Sequence, residues 1–235
     1  MSQEAKSDGE YRVFVQVVDS DGHRTSWNDH HVPSPPTSQW KPGQTVKYSR
    51  TSFVPVIPYV GDVSVEVGLY KGPERLPLRP QPPMEKLTRS RAYKVGTLQI
   101  APATEGDNFF IVRRSGWNNT EFEGANVEWT WTQKSAVFGL EKNPRRDVTL
   151  YLQLDTRPEV FAGKPQQVTV SLGPHVIDQF VADSGDLILR KIPVSAAQFG
   201  TGDTPEQFRL EVDRTFVPAS LSAGTKDTRG LGIPV

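Results

Sequence analysis

The sequence predicts an all-β protein built from two consecutive β-sandwich domains, immunoglobulin-like or jelly-roll-like in architecture. Short segments in which apolar and polar residues alternate recur along the chain, and turn residues separate them. The 19 glycines and 20 prolines favour such turns over long helices. With 235 residues, the chain is long enough for two domains of ordinary size.

The domain boundary is predicted at PATEGD, residues 102–107, a segment that is rich in turn residues and has no large apolar side chain. We therefore expect domains at residues 1–103 and 104–235. The first is expected to begin with an ordered, polar N-terminal arm. The sequence of this arm, MSQEAKSDGE, lacks the apolar region of a signal peptide.

In the first domain, alternation predicts strands at residues 11–18, 45–53, 62–70 and 93–100. Phe14 falls on the opposite face from its valine neighbours, so both faces of the first strand are expected to be partly covered. Asp21 and Gly22 then give a turn signal, and the residues up to Pro33 are interpreted as a polar exit loop. The proline-rich segment 77–84 is interpreted as a crossing loop.

In the second domain, alternation predicts strands at residues 109–113, 127–132, 136–140, 148–154, 167–172, 176–181, 187–192 and 209–213. Residues 193–200, PVSAAQFG, are predicted to form a helical turn, with Pro at its start and Gly at its end. Trp129 and Trp131 share one strand face and are expected to fill the sandwich core. The segment SGWNNTEF, residues 115–122, is interpreted as a loop.

The composition excludes several classes of function. Lys+Arg and Asp+Glu both number 27 and are interspersed, so nothing favours nucleic acid or an anionic membrane as the partner. The absence of cysteine excludes disulfides, thiol catalysis and cysteine-ligated metal sites. No segment approaches the roughly 20 apolar residues of a membrane-spanning helix, so the sequence is not expected to span a membrane.

The stretch after the first strand contains residue types that bind metals: His23, Asp29, His30 and His31. Neighbouring residues of an extended chain point to opposite sides, so His30 and His31 share a site only if a special loop turns both inward. The spacing typical of zinc sites is also missing. We therefore expect no metal and no cofactor, and we expect Asp29 to accept hydrogen bonds from nearby backbone N–H groups.

Residues with catalytic chemistry do not form a recognisable catalytic pattern. His175 lies near Asp178, but no serine has the sequence context of a nucleophile. Glu121 and Glu123 are carboxylates of the kind that glycosidases use, but their spacing in a predicted loop does not set the separation this chemistry needs. No glycine-rich phosphate loop is present. The sequence favours a protein that is not an enzyme.

Tryptophans in predicted loops are the best candidates for binding residues. Trp27 and Trp40 belong to the first domain, and Trp117 belongs to the second, beside Asn118 and Glu121. Exposed tryptophan stacks on sugar rings or anchors a protein interface. These five residues are therefore predicted to bind a glycan or a protein, while a purely structural place for Trp117 stays open.

Motifs in the first half occur in a characteristic order: FVQV, DSDG, the DHHVP loop, the WKPG turn, and VGLY followed by RLPL. In this order the first half resembles the small β-sandwich found after the membrane spans of some bacterial glycosyltransferases. The membrane-embedded catalytic part of those enzymes is absent from this sequence. The resemblance therefore implies an accessory or binding module that works outside the cytoplasm, with no transferase activity.

The second half contains GWNNTE, a later WT, and the closing motifs FVP and DTRGLGI. It resembles another extracytoplasmic β-domain, one seen in bacterial surface and membrane-associated proteins. Asp227 and Arg229 match the D-x-R of that domain. Their expected role is structural: the pair would staple the C-terminal segment back onto the sandwich.

Together these observations predict a non-catalytic accessory subunit that docks through sandwich loops and termini on a larger, membrane-associated bacterial complex. Its expected partners are proteins of that complex. The alternative is a carbohydrate-binding module that uses the loop tryptophans. The resemblance implies a periplasmic or cell-surface location, while the missing signal peptide leaves the cytoplasmic face of the membrane open.

Overall fold

The computed structural model describes residues 9–54, 59–79, 86–87, 91–102, 109–123, 127–222 and 224–235. The chain forms two compact units, Met1–Ala103 (unit 1) and Thr104–Val235 (unit 2), which divide at the position of the predicted boundary. Every described strand pairing is antiparallel and the described helices are single turns, so the all-β class is confirmed. The predicted N-terminal arm and part of the proline-rich loop lie outside the described residues. Among the helices of the described ranges, none has the length and apolar character needed to span a membrane.

Unit 1 is a six-stranded sheet in the order β2-β1-β3-β6-β5, with β4 paired to β3. Its strands are β1 (Arg12–Val18), β2 (Arg24–His31), β3 (Gly61–Lys71), β4 (Glu74–Arg75), β5 (Lys86–Leu87) and β6 (Ala92–Ile100). A single 3-10 turn is present at Thr37–Gln39. The central pair, β1 and β3, stays in register along the whole of β1.

One face of this sheet holds the apolar core of unit 1. Val13 from β1 and Leu69 from β3 pack there with Val32, Trp40 and Val46. The last three residues belong to the segment that follows β2, and this segment forms the second layer over the sheet. A sheet with one apolar face must bury that face against a second layer. In unit 1 the second layer is the segment after β2, which forms no strand ladder there.

Two segments of unit 1 differ from the sequence prediction. Arg24–His31, interpreted as part of a polar loop, is strand β2 and pairs with β1 over the length of that strand. Residues 45–53, predicted to be a strand, have a β-bridge only at Thr45 and are otherwise extended chain without a ladder. The first strand and the strands at 62–70 and 93–100 are confirmed as β1, β3 and β6.

Side-chain hydrogen bonds take the place of the missing ladder between β2 and the segment 48–53. The three inward-facing residues of β2 are polar and buried, so each needs a hydrogen-bond partner. Because they are polar, apolar alternation could not reveal the strand. The bonds run from Ser26 Oγ to the Phe53 carbonyl at 2.9 Å, from Arg50 Nε to Asn28 Oδ1 at 2.6 Å, and between His30 Nε2 and Tyr48 Oη at 2.8 Å.

Unit 2 contains a five-stranded sheet in the order β13-β12-β15-β10-β7 and two strand pairs, β11–β14 and β8–β9. Its strands are β7 (Ile111–Arg113), β8 (Trp117–Glu123), β9 (Val127–Thr132), β10 (Ser135–Leu140), β11 (Val148–Leu154), β12 (Gln166–Leu172), β13 (His175–Ala182), β14 (Ile188–Val194) and β15 (Phe208–Val212). The helical turns are Pro158–Phe161, Ala196–Phe199 and α1 (Pro218–Leu221). The core packs side chains of the five-stranded sheet against those of β11 and β14.

The C-terminal segment 231–235, LGIPV, adds a further edge to the β8–β9 pair; we call it the C-terminal strap. The Thr132 N–H donates to the Ile233 carbonyl at 3.0 Å. Val235 and Thr130 exchange two backbone hydrogen bonds, at 2.9 and 3.1 Å. The strap therefore runs antiparallel to β9.

The other side of the strap reaches β11 and the five-stranded sheet. The carbonyl of Pro234 accepts from the N–H of Asp155, the residue after β11, at 3.0 Å. Gln166 of β12 donates from Nε2 to the Gly232 carbonyl at 3.0 Å. Ile233 is fully buried in the core. The strap thereby joins the two strand pairs into one layer that faces the five-stranded sheet.

The predicted strands of unit 2 are confirmed, with their ends shifted by up to two residues. Trp117–Glu123, interpreted as a loop, is strand β8. The helical turn begins at Ala196, after a capping box between Ser195 and Gln198, and Pro193 belongs to β14. The sequence did not reveal β8 because apolar alternation in that strand is weak.

The tryptophans of β9 do not occupy the main core as expected. Trp131 is buried, but its ring packs edge-on against Phe216, with ring centroids 5.5 Å apart. Trp129 is only half-buried. Trp117 of β8 packs against the main core instead. Its ring lies on the face of β8 that is turned toward β10, where its indole N–H donates to the Val137 carbonyl.

A substitution at Gly232 tests how much the C-terminal strap contributes to stability. A methyl group there would overlap the Gln133 carbonyl and Thr132 Oγ1. We expect Gly232→Ala to lower the free energy of unfolding by about 1–3 kcal/mol, because overpacked sites lose about that much. Urea denaturation measures the difference. Gly230→Ala is the matched control, since nothing lies within 4 Å of a methyl group at that position; equal losses in both variants would contradict the role of the strap.

A substitution at Gly68 tests how tightly the second face of the unit 1 sheet is packed. On that face the Arg75 guanidinium lies 4.3 Å from the centre of the Phe14 ring. A methyl group on Gly68 would overlap that ring and approach the Arg91 carbonyl at 3.0 Å. We expect Gly68→Ala to cost about 1–3 kcal/mol in thermal unfolding. Gly96→Ala, where a methyl group meets nothing within 4 Å, should be neutral. A neutral Gly68→Ala would show that this face is loosely packed.

Candidate functional site

The two tryptophans of the first domain each differ from the prediction, in different ways. Trp40 is 6% exposed, packs in the core of unit 1, and donates its indole N–H to the Pro35 carbonyl at 2.9 Å. Its prediction as a stacking residue is therefore wrong, because the ring covers the sheet instead of facing solvent. Trp27 lies in β2 and not in a loop; its side chain is outside the described part.

Trp117 is half-buried in β8, and its polar atom is used inside unit 2. Its indole N–H donates to the Val137 carbonyl at 2.8 Å, and its ring packs edge-on against Phe138. The Arg113 guanidinium lies 5.4 Å from the ring centre, within cation–π distance. The neighbouring Asn118 donates from Nδ2 to the Trp131 carbonyl at 3.2 Å. These contacts position strands and leave the indole N–H no free hydrogen bond for a sugar.

Glu121, Asp227 and Arg229 come together in a single ionic cluster. Arg229 Nη2 bonds Glu121 Oε1 of β8 at 2.7 Å and Asp227 Oδ2 at 2.6 Å, and its Nε bonds Asp227 Oδ1 at 2.9 Å. Asp227 also accepts from the backbone N–H of Arg229 at 3.0 Å. The cluster links β8 to the segment just before the C-terminal strap, which is the geometry that a structural staple requires.

The electrostatics of this cluster limit what it can do chemically. Hydrogen bonds from the Arg229 side chain and backbone hold the pKa of Asp227 at about 2, below its usual 3.8. The same Asp227 bond, followed by the Glu121 bond, raises the pKa of Arg229. Asp227 is therefore ionised at neutral pH and has no proton to donate, whereas a general acid needs a raised pKa. The cluster suits attachment of chain segments better than proton transfer.

The histidines near the first strand are kept apart. His30 points inward to Tyr48, and His31 follows it on the opposite face of β2. Asp29 accepts from the Tyr70 hydroxyl at 2.9 Å, so its predicted bonding to nearby backbone N–H groups is wrong. Asp19 makes those turn contacts instead. In the part of the chain that the structure describes, no group of three potential metal-binding side chains is assembled.

Exposed apolar side chains on strands are the feature that the sequence did not single out. Phe110, just before β7, is 70% exposed, and Phe122 of β8 is 67% exposed. In unit 1, Val95 and Leu98 of β6 are 45% and 46% exposed. The only available signal was an apolar residue in a polar stretch or an uncharged run such as VGTLQI, and neither signal separates a surface residue from a core residue.

Comparison of the chain with protein-family models, with curated proteins and with solved structures found no match. The resemblance to domains appended to glycosyltransferases therefore stays a prediction. The functional argument rests on the geometry of this chain.

The ionic cluster makes stability depend on pH. Because the pKa of Asp227 is lower in the folded chain than its usual value, its contribution to stability is present above pH 3.8 and is lost as the pH falls toward about 2. We expect the difference in thermal midpoint between wild type and Asp227→Asn to be largest near neutral pH and to vanish toward pH 2. Thermal unfolding monitored by circular dichroism measures it.

Asp203→Asn is the control for that experiment, since the Arg145–Asp203 pair is largely exposed and such pairs contribute little. Its midpoint should follow wild type across the pH range. A difference between wild type and Asp227→Asn that is the same at every pH would show that Asp227 does not act through its charge.

Proposed function

We propose that this chain is a non-catalytic accessory subunit that docks on a protein partner within a larger, membrane-associated assembly. The observation that carries the proposal is Phe122 of β8, a large apolar side chain that is 67% exposed. Aromatic side chains are enriched at the centres of protein interfaces, where a few of them supply most of the binding energy.

A second exposed phenylalanine of unit 2 supports a protein-binding role. Phe110 precedes β7 and is 70% exposed. Like Phe122, it is an exposed aromatic side chain of the kind that is enriched at protein interfaces.

The engagement of the other candidate residues favours docking over the alternatives. Glu121 and Asp227 share one guanidinium and hold chain segments together. Trp40 is buried, and Trp117 donates its indole N–H within unit 2. Sugar stacking and carboxylate catalysis therefore have less support than protein docking. The membrane-associated setting follows the resemblance of both halves to extracytoplasmic domains.

The test uses the purified chain as bait in membrane extracts of the cells that produce it, with mass spectrometry to quantify captured proteins. We expect one or more stoichiometric partners. Phe122→Ala should reduce capture by about tenfold or more, because burial of an exposed phenylalanine contributes about 1.5–3 kcal/mol. Leu221→Ala, which removes another exposed apolar side chain, is the matched control and should capture as wild type does.

Two outcomes would overturn the proposal. One is the absence of any stoichiometric partner. The other is equal capture by wild type and by the Phe122→Ala variant, with both proteins folded by circular dichroism. Binding on a glycan array that is lost in Trp117→Ala would instead support the carbohydrate-binding alternative.

A further inference from the structure

Two indole N–H groups of unit 2 meet no acceptor in the part of the chain that the structure describes. Trp40 and Trp117 donate their indole N–H groups to backbone carbonyls. Trp129 and Trp131 form no such bond with a described residue. Trp131 is only 7% exposed, and its indole nitrogen is nevertheless not sealed from solvent. A buried tryptophan normally finds a partner for its N–H, so these two groups point to a ligand.

Both tryptophans lie on the outer face of β9. Alternate residues of a strand point to the same side, which places Trp129 and Trp131 together. Thr130 between them points to the core, because it is fully buried and pairs with Val235, which packs against that core. The ring of Phe216 packs edge-on against Trp131 and forms part of the same outer surface. A half-buried indole therefore lies next to a buried one on a face turned away from the core.

The ionic cluster lies on the same face. Glu121 is directly opposite Trp129 in the β8–β9 pair, so their side chains point to one side, with Cβ atoms about 4.5–5.5 Å apart. Arg229 Nη2 holds Glu121 Oε1 at 2.7 Å. Glu121 Oε2 and Arg229 Nη1 form no bond with described residues, and both side chains are partly exposed. An acceptor and a donor are thus held in place beside the Trp129 ring.

The groups on this face match the chemistry of a neutral sugar. A sugar ring has C–H groups that stack on an indole, and hydroxyls that both donate and accept hydrogen bonds. Such hydroxyls can donate to Glu121 Oε2 and accept from Arg229 Nη1 and from the indole N–H groups. An acidic sugar would be repelled by the Glu121 carboxylate. A peptide backbone lacks neighbouring groups that each donate and accept.

We propose that the outer face of β8 and β9 binds a neutral glycan, with Trp129 as the stacking residue and Glu121 and Arg229 as hydrogen-bonding residues. The ion pair orders both polar side chains before the ligand arrives, which lowers the cost of binding. Trp117, the tryptophan of the predicted sugar site, takes no part. The site is also separate from Phe122, which points to the opposite face of β8, so the docking proposal and this one can fail independently.

Hydrogen exchange of the indole N–H groups, measured by NMR, tests the geometry without a ligand. The Trp129 N–H should exchange with water at least about tenfold faster than the Trp117 N–H, because the latter must first break its bond to a backbone carbonyl. Trp117 is the matched control, since both rings are half-buried. The Trp129→Phe and Trp117→Phe variants assign the two resonances. Equal exchange rates would overturn the proposal.

Sugar titrations followed on the same resonances test binding. The neutral probes are cellotetraose, maltotetraose, mannotetraose, xylotetraose and N-acetylchitotetraose, each added to about 10 mM, ten times the dissociation constant on the order of 1 mM that we expect for so small a site. At least one of them should shift the Trp129 N–H resonance and leave the Trp40 resonance in place. No shift with any neutral probe, or tighter binding of the acidic probe tetragalacturonate, overturns the proposal.

Substitutions assign the site to named residues. Trp129→Ala should raise the dissociation constant by about tenfold or more, because the stacking ring is lost. Glu121→Gln should raise it by about threefold or more, because an amide oxygen accepts more weakly than a carboxylate. Tyr151→Ala, which removes an exposed aromatic ring of β11, is the matched control and should bind as wild type does. Circular dichroism verifies that each variant is folded.

Two results with these variants would overturn the proposal. One is sugar binding by the folded Trp129→Ala and Glu121→Gln variants that equals wild type. The other is a Trp129→Ala variant that loses capture of a protein partner while wild type binds no sugar, because that result would assign the face to a protein.

Discussion

The pairing of the C-terminal strap with β9 and with the end of β11 is the interaction on which unit 2 depends. Without it, β8–β9 and β11–β14 are separate strand pairs, and two-stranded ribbons are at best marginally stable in water. The strap satisfies backbone groups on both of its sides, through Thr132 and through Asp155. It also buries Ile233 in the core. A buried backbone group that loses its partner costs free energy comparable to a lost hydrogen bond, so the segment closes the layer and satisfies its edges at once.

The second layer of unit 1 is held in place in a different way. Its sheet needs a second layer, and extended chain after β2 provides one through Trp40 and Val46. Beside these apolar contacts, buried polar side chains of β2 hold the segment through Asn28 and His30. Hydrogen bonds between side chains specify one alignment of the segment, because an unmade bond would leave a buried polar group unsatisfied.

A binding role is favoured by the contrast between side chains that are engaged within the fold and side chains that are exposed. Trp117, Glu121 and Asp227 are engaged in stabilising contacts within unit 2. Large apolar side chains are also exposed on strands, for example Phe122 in unit 2 and Leu98 in unit 1. A single exposed aromatic side chain such as Phe122 suits a pocket on another protein.

The sequence by itself determined the all-β class, the domain boundary and the strands whose buried residues are apolar, such as β11 and β15, because alternation of apolar residues reports burial directly. It also pointed to Asp227 and Arg229 as a structural pair. The tertiary structure decided what alternation cannot report: that β2 and β8 are strands, that residues 45–53 are not, and that Glu121 completes the ionic cluster. Polar side chains become buried only when a distant segment supplies their hydrogen bonds, and those partners lie far apart in the sequence.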